Sequence, residues 1–458
     1  MVGSRFAKGP GVLRRPAASG LAALLVCLAC CGEASAAVQL PEDFFAERVM
    51  RIEAPTAIAF TPDQALLVAT KFGRLVLLEP GARQSRTVLD LRRRVCHQSE
   101  RGLVGLAVDP RFRRNRFVYV YFTRRRFGCG NRAVNRVSRF VLRRNGQIDP
   151  ASERVLLDKI MSLGRYHLGG DLQFGKDGYL YISVGDGVCH YRTHRCSSRN
   201  TAAREDNVLL GKILRVDRTG RAPRANGVGR RCALTGRTRR GARCREIYAT
   251  GLRNPFRIAF DPNAARTRFF INDVREQTWE EINLGRLGAD YGWNLREGRC
   301  PVGRARSCSR PPRGLTDPIF TYRQPGRTRG RKKGCEAITG GAFVPRGAWP
   351  RAFRGDYLFA DYVCGKIFRL KRVAGRYRAR EFATGLGRSS AVHLRFGPGP
   401  SGTNALLHDA PRQGGRSLAD RPRARQSPPD GERHADPALR PRAARGRLRR
   451  ASEPRPGP

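Results

Sequence analysis

The chain has 458 residues, 40% of them hydrophobic, and 89 Lys plus Arg against 38 Asp plus Glu give a net charge of +51. That apolar fraction excludes wholesale disorder, and the length calls for two or three ordinary units or one large closed architecture. Only nine of the basic residues are Lys, and so basic a chain raises the question of nucleic-acid binding. In chain order, the first feature is a basic segment carrying Arg5, Lys8, Arg14 and Arg15, followed by the apolar run Gly20 to Cys30 and the small-residue signal Ala34-Ser35-Ala36. This reads as a signal peptide over 1–36, with a lipoprotein anchor at Cys30 or Cys31 as the lesser option. No later stretch is long and apolar enough to span a membrane.

Beyond it, one unit recurs: an apolar alternating strand, a Pro/Gly/Asp turn and a second apolar strand. It begins at Ala57, Gly105, Asp171, Arg257, Ile338 and Val392. Period-2 alternation broken by turn residues reads as hairpins. Six hairpins at uneven intervals suit an all-β fold, a six-bladed β-propeller over 37–402 with long insertions in its loops. A β-sandwich is the competing architecture.

From Thr403 to Pro458 there is no aromatic residue, no Val and no Ile, but 13 Arg and nine Pro. Such a stretch cannot pack, so 403–458 reads as a disordered basic tail. The strand pattern stops inside the sixth repeat, which suggests that the reading frame is lost near Asn404.

Ten cysteines follow the signal segment. An even number in an exported chain reads as disulfides. Their spacing groups them as Cys96 with Cys129, Cys189 with Cys196, Cys232 with Cys244, Cys300 with Cys308, and Cys335 with Cys364. Spacing alone does not fix that connectivity. No CxxC pair has metal-ligand spacing, so zinc is not expected.

Several short motifs carry a resemblance. They are Glu100-Arg-Gly-Leu-Val-Gly-Leu-Ala, His167-Leu-Gly-Gly-Asp-Leu-Gln-Phe, Val184-Gly-Asp-Gly, Leu210-Gly-Lys-Ile-Leu-Arg, Gly251-Leu-Arg-Asn-Pro, Trp279-Glu-Glu-Ile-Asn and Tyr291-Gly-Trp-Asn. Together, and in this order, they make residues from about Pro55 to Pro398 resemble the soluble PQQ-dependent glucose/sorbosone dehydrogenases. The resemblance implies oxidation of an aldose hydroxyl by hydride transfer to PQQ, with an external electron acceptor. It implies His167 as general base, Asp186 as the acid that orients it, and Arg253 and Asn254 as contacts to the quinone. The resemblance gives Arg253 a catalytic part as well, in stabilising negative charge on the reduced cofactor, and groups Glu100 with the cofactor-binding residues. Glu100 stands where glucose-oxidising relatives have Gln, can still hydrogen-bond substrate and adds a charge, which leaves the sugar open.

The resemblance also implies Ca²⁺, held by backbone carbonyls in the segment Asp273 to Thr278, here at Arg275 and Glu276. Calcium accepts backbone oxygens, so side chains need not match. This chain departs from the family pattern at Arg275, where many relatives have Gly, and near Val363-Cys364-Gly365, where Lys366 falls two positions late for a cofactor contact. Gly387-Arg388-Ser389 matches the late Arg pair of glucose-oxidising relatives only loosely. Fold does not imply activity. The alternative is a non-catalytic extracellular propeller that binds glycans or acidic cell-surface partners. Paired carboxylates for glycan hydrolysis are not evident. The segments 1–36 and 403–458 carry +3 and +7, which leaves +41 on the body. That charge is spread through every loop and no nucleic-acid motif accompanies it, so acidic cell-surface polymers are the more natural partner.

Overall fold

The computed structural model describes residues 38–397 and 405–408, apart from 43, 131–132, 197–199, 305, 307, 309–310, 326, 329–330, 333 and 388. The signal segment, the point of suspected frame loss and the basic tail lie outside the described residues, except for 405–408. Among the described residues no helix is long and apolar enough to cross a membrane.

The repeats fold as the alternation requires. Strands β1 (Pro55–Phe60), β2 (Leu66–Thr70), β3 (Arg74–Leu78) and β4 (Arg86–Asp90) form the first antiparallel sheet, and β5 (Leu103–Val108), β6 (Phe117–Arg124), β7 (Val134–Val141) and β8 (Arg154–Met161) the second. The single-turn helix α1 (Phe112–Asn115) lies in the β5–β6 turn. The third sheet comprises β9 (Leu172–Phe174), β10 (Leu180–Val184), β11 (Lys212–Val216) and β12 (Ile247–Ala249).

The fourth sheet orders β13 (Pro255–Phe260), β14 (Phe269–Asp273) and β15 (Trp279–Leu284) next to β18 (Phe320–Arg323). Two short ladders decorate its loops: β16 (Arg296–Glu297) with β17 (Cys300–Pro301), and β19 (Arg327–Thr328) with β20 (Arg331–Lys332). The fifth sheet holds β21 (Ile338–Phe343), β22 (Tyr357–Asp361), β23 (Lys366–Val373) and β24 (Arg376–Ala383). Last comes a two-stranded ladder of β25 (His393–Phe396) and β26 (Ala405–His408). The sixth repeat therefore does gain its second strand, a few residues beyond the boundary expected at 402.

Each repeat supplies the first two strands of one sheet. The first strands are neighbours in a closed circuit, β1 to β5, β9, β13, β21, β25 and back to β1. The faces between consecutive sheets are apolar layers, as a β-propeller requires. Leu67, Val118 and Phe122 fill one layer, and Tyr121, Ile182 and Leu214 the next. Tyr181, Ile258 and Phe269 follow, then Phe270, Phe343 and Tyr357.

Charged side chains cross the middle of this circuit. From β13, Arg257 Nη2 donates to the Thr56 carbonyl in β1 at 2.8 Å. From β25, Arg395 Nη2 donates to Asp171 Oδ1, just ahead of β9, at 2.9 Å. Asp171 Oδ2 also accepts from Ile258 N at 2.9 Å. Asp171 and Arg257 are buried, so each needs this partner to offset lost hydration. All five near-neighbour disulfides form: Cys96–Cys129, Cys189–Cys196, Cys232–Cys244, Cys300–Cys308 and Cys335–Cys364.

Candidate functional site

Antiparallel pairing sends alternate loops to one end of the sheets. The loops that lead into β5, β9 and β13, and those that join β10 to β11 and β14 to β15, emerge together there. Glu100, His167, Asp186, Arg253–Asn254 and Arg275 lie on these loops, so the topology gathers residues far apart in sequence.

The central pair is His167 and Asp186. His167 Nδ1 lies 2.8 Å from Asp186 Oδ1, with the histidine side chain 11% exposed and the aspartate fully buried. A carboxylate on Nδ1 fixes that nitrogen as the protonated one and leaves Nε2 as the base. Asp186 Oδ2 accepts from Trp293 Nε1 at 2.8 Å, and Oδ1 also accepts from Val188 N at 2.9 Å. The carboxylate is thus held on both oxygens and cannot swing away from the ring.

The backbone beneath this pair is specific. His167 has φ 54°, in the left-handed region, which costs a non-glycine residue roughly 1–2 kcal/mol. Its carbonyl accepts from Gly187 N at 3.1 Å. A Cβ at Gly185 would lie 2.0 Å from that same carbonyl, so the Gly185-Asp186-Gly187 turn reaches the histidine only because position 185 has no side chain.

Arg253 and Asn254 stand beside the pair. Asp186 N donates to the Arg253 carbonyl at 2.8 Å. Asn254 Oδ1 accepts from Gly169 N at 3.1 Å, which ties its loop to the histidine loop. Glu100 Oε2 lies 3.4 Å from Leu168 N and 3.5 Å from Asn254 Nδ2. Five sequence-predicted residues, Glu100, His167, Asp186, Arg253 and Asn254, therefore form one group.

Arg275 turns inward behind this group and is fully buried. Its Nε lies 3.3 Å from Asp273 Oδ2, and its Nη2 bonds Glu281 Oε2 and, at 3.2 Å, the Tyr291 carbonyl. Asp273 in turn accepts from Asn254 N at 2.7 Å and Arg253 N at 3.1 Å. Both guanidiniums lie against Trp293, with Arg253 Cζ 5.5 Å and Arg275 Cζ 5.8 Å from its ring centre. Position 275 is not among the left-handed residues, so its backbone does not require glycine. Glu276 is half-buried. Its N–H and those of Gln277 and Thr278 converge on Glu297 Oε1 at 2.9, 2.7 and 2.8 Å.

These residues fit one of the two expected groups. PQQ is a polyanionic quinone, and Arg253 Nε and Arg275 Nη1 are buried donors with no acceptor. An anionic oxygen would satisfy such donors. Calcium fits less well: Asp273 and Glu281, the buried carboxylates behind the group, are both held by Arg275 and so cannot join the two carbonyls expected at Arg275 and Glu276. Two oxygens fall short of the roughly six to eight that calcium takes. Lys366 does not join the group; its Nζ pairs with Glu381 on β24.

Three contributors escaped sequence reasoning. Trp293 lies in the Tyr291-Gly-Trp-Asn motif, but nothing in the motif pointed its indole at Asp186. Lys71, whose Nζ donates to the Ser99 carbonyl at 2.6 Å, brings a cation next to Glu100. Lys212, in the Leu210-Gly-Lys motif, is buried under the turn that carries Asp186.

The Trp279-Glu-Glu-Ile-Asn motif forms β15, and its acids set a pH response. Glu280 is buried and accepts from Gln324 Nε2 at 2.6 Å and Ile338 N at 2.9 Å. Burial raises its pKa well above 4.5, reinforced by Asp361 and opposed by those hydrogen bonds. Burial likewise raises Glu281 to about 7, against the pull of Arg275. A carboxylate with a raised folded pKa stabilises fully below its unfolded value, and that stability is lost as pH rises towards the folded pKa. As pH rises above 4.5, Glu280 should therefore erode stability with a slope approaching about 1.4 kcal/mol per pH unit. Chemical denaturation of Glu280→Gln across this window should give a shallower pH dependence than the unsubstituted protein. Equal slopes would show that Glu280 is ionised throughout.

Comparison with known proteins identifies the family. A family model described as "Glucose / Sorbosone dehydrogenase" matches residues 52–388. The HIPL2 protein of Arabidopsis thaliana is 32% identical over 216 residues, 44% of this chain and 29% of that protein. Quinoprotein glucose dehydrogenase B of Acinetobacter calcoaceticus is 24% identical over 253 residues, 52% of this chain and 50% of that protein. The chain thus matches half or less of the length of these relatives. Among solved structures, one described as an oxidoreductase (glucose dehydrogenase) from Thermus thermophilus is 30% identical with a TM-score of 0.57, covering 77% of this chain and 90% of that one. With the family model covering most of its length, the chain belongs to the glucose/sorbosone dehydrogenase family.

Proposed function

We propose that this protein is an exported six-bladed propeller that oxidises the C1 hydroxyl of an aldose with PQQ as the hydride acceptor. The observation that carries the reading is the buried Asp186–His167 pair beside Arg253. Asp186 holds Nδ1 protonated, so His167 Nε2 removes the hydroxyl proton while the C–H hydrogen departs with its electron pair. Asp186 then stabilises the imidazolium that results. PQQ, when bound, supplies the two-electron acceptor, and an external acceptor must later reoxidise it. Arg253 and Asn254 would hold the quinone, and the Arg253 guanidinium would favour negative charge building on its oxygen. Glu100 would accept a hydrogen bond from a sugar hydroxyl. Five disulfides support export into an oxidising compartment.

The net charge of +51 favours a second reading, a propeller that binds acidic cell-surface polymers without catalysis. One experiment separates the two. The purified protein is titrated with PQQ and then assayed by dye reduction across an aldose panel. Saturable PQQ binding and bleaching with at least one aldose support the enzyme. Absence of both sinks it.

A further inference from the structure

We propose that Arg275 is the built-in cation of this site, and that the segment from Asp273 to Glu281 works without a divalent metal. The inference deepens the sugar-dehydrogenase reading, which supplies only the identity of the anion to be bound.

The carboxylate oxygens that could join the carbonyls of Arg275 and Glu276 around a metal are already in use. Asp273 Oδ1 accepts from Asn254 N at 2.7 Å, and Oδ2 accepts from Arg253 N at 3.1 Å and faces Arg275 Nε at 3.3 Å. Glu281 Oε1 accepts from Gly298 N at 2.6 Å, and Oε2 accepts from Asn283 Nδ2 at 3.0 Å and from Arg275 Nη2. Calcium takes six to eight oxygens at about 2.3–2.6 Å. Neither carboxylate can turn to it without dropping a buried N–H donor, and an unmade buried bond is costly.

Charge gives the same answer. A guanidinium stays protonated at any ordinary pH. Arg275 is buried between the carboxylates of Asp273 and Glu281, which hold its charge in place. A divalent ion in the same low-dielectric space would repel it.

The arginine also performs the electrostatic task a metal would have there. It lies against the same indole as Arg253, and its Nη1 is a buried donor with no acceptor. An anionic ligand oxygen can complete it. The positive charge is thereby fixed in the chain and does not depend on metal supply.

The test uses melting temperature, so a protein that oxidises no sugar would still report on it. The unsubstituted protein should melt at the same temperature in excess EDTA and in millimolar Ca²⁺. Arg275→Gly removes the cation from two buried carboxylates and should lose roughly 5 °C in EDTA. Millimolar Ca²⁺ should restore most of that loss. Should the glycine variant fail to fold, Arg275→Lys keeps a positive charge and should remain insensitive to Ca²⁺. The proposal is overturned if millimolar Ca²⁺ raises the melting temperature of the unsubstituted protein above its value in EDTA.

Discussion

Replacing His167 with Asn is expected to lower kcat for aldose oxidation about 100- to 10,000-fold, the usual worth of a positioned general base. Asparagine suits the test because it tolerates the left-handed backbone better than most residues, and position 167 has φ 54°. The melting temperature and the titration with PQQ should change little, since neither Arg253 nor Asn254 bonds the histidine ring. KM should also move less than kcat, because the base acts on a proton in flight more than on the bound sugar. Steady-state dye reduction by the PQQ-loaded variant is the measurement. Undiminished turnover would remove His167 from the mechanism while leaving the family assignment standing.

The second large effect is expected in stability. Lys212 is fully buried, and its ammonium donates to three backbone carbonyls, Ala202, Ala203 and Leu210, at 2.9, 2.8 and 2.7 Å. Burial pulls its pKa down to about 7, opposed by Asp206, Asp290 and Glu205. Lys212→Met preserves much of the volume but leaves three carbonyls without a donor. A loss of roughly 3–5 kcal/mol is expected, as for other broken buried charge sites, read by urea denaturation. The damage should reach the site as well. Gly211 N, next to Lys212, donates to the Gly185 carbonyl at 2.9 Å, and Gly185 begins the turn that carries Asp186. A variant as stable as the parent would mean that water replaces the ammonium.

The strands were legible because alternation and turn residues are local signals: Gly105 to Thr123 and Arg257 to Val274 fold as written. The two-residue ladders were not legible, since Arg296–Glu297 and Cys300–Pro301 pair across a loop with no apolar period. At the site, His167, Asp186 and Arg253 were legible only through the motifs that carry the family resemblance. Arg275 marks where sequence reasoning fell short. The expectation concerned its carbonyl and left unread its side chain, which is buried against Asp273 and Glu281. Its two partners, Asp273 and Glu281, lie on adjacent strands β14 and β15 and are paired in register. Burial of an arginine is a tertiary fact, and nothing in the string Asp273-Val274-Arg275-Glu276 marks it. Trp293 is similar, because its Asp186 partner lies 107 positions away.

The bonds from Arg257 to Thr56 and from Arg395 to Asp171 act as spokes. Each joins strands on opposite sides of the circuit, β13 with β1 and β25 with the start of β9. A ring held only around its rim can ovalise as its sheets slide on apolar layers. Spokes set the diameter at the hub from side chains that the chain always carries. The floor under His167 and Asp186 should then keep one width whether the site is empty or filled, so binding need not draw the sheets together.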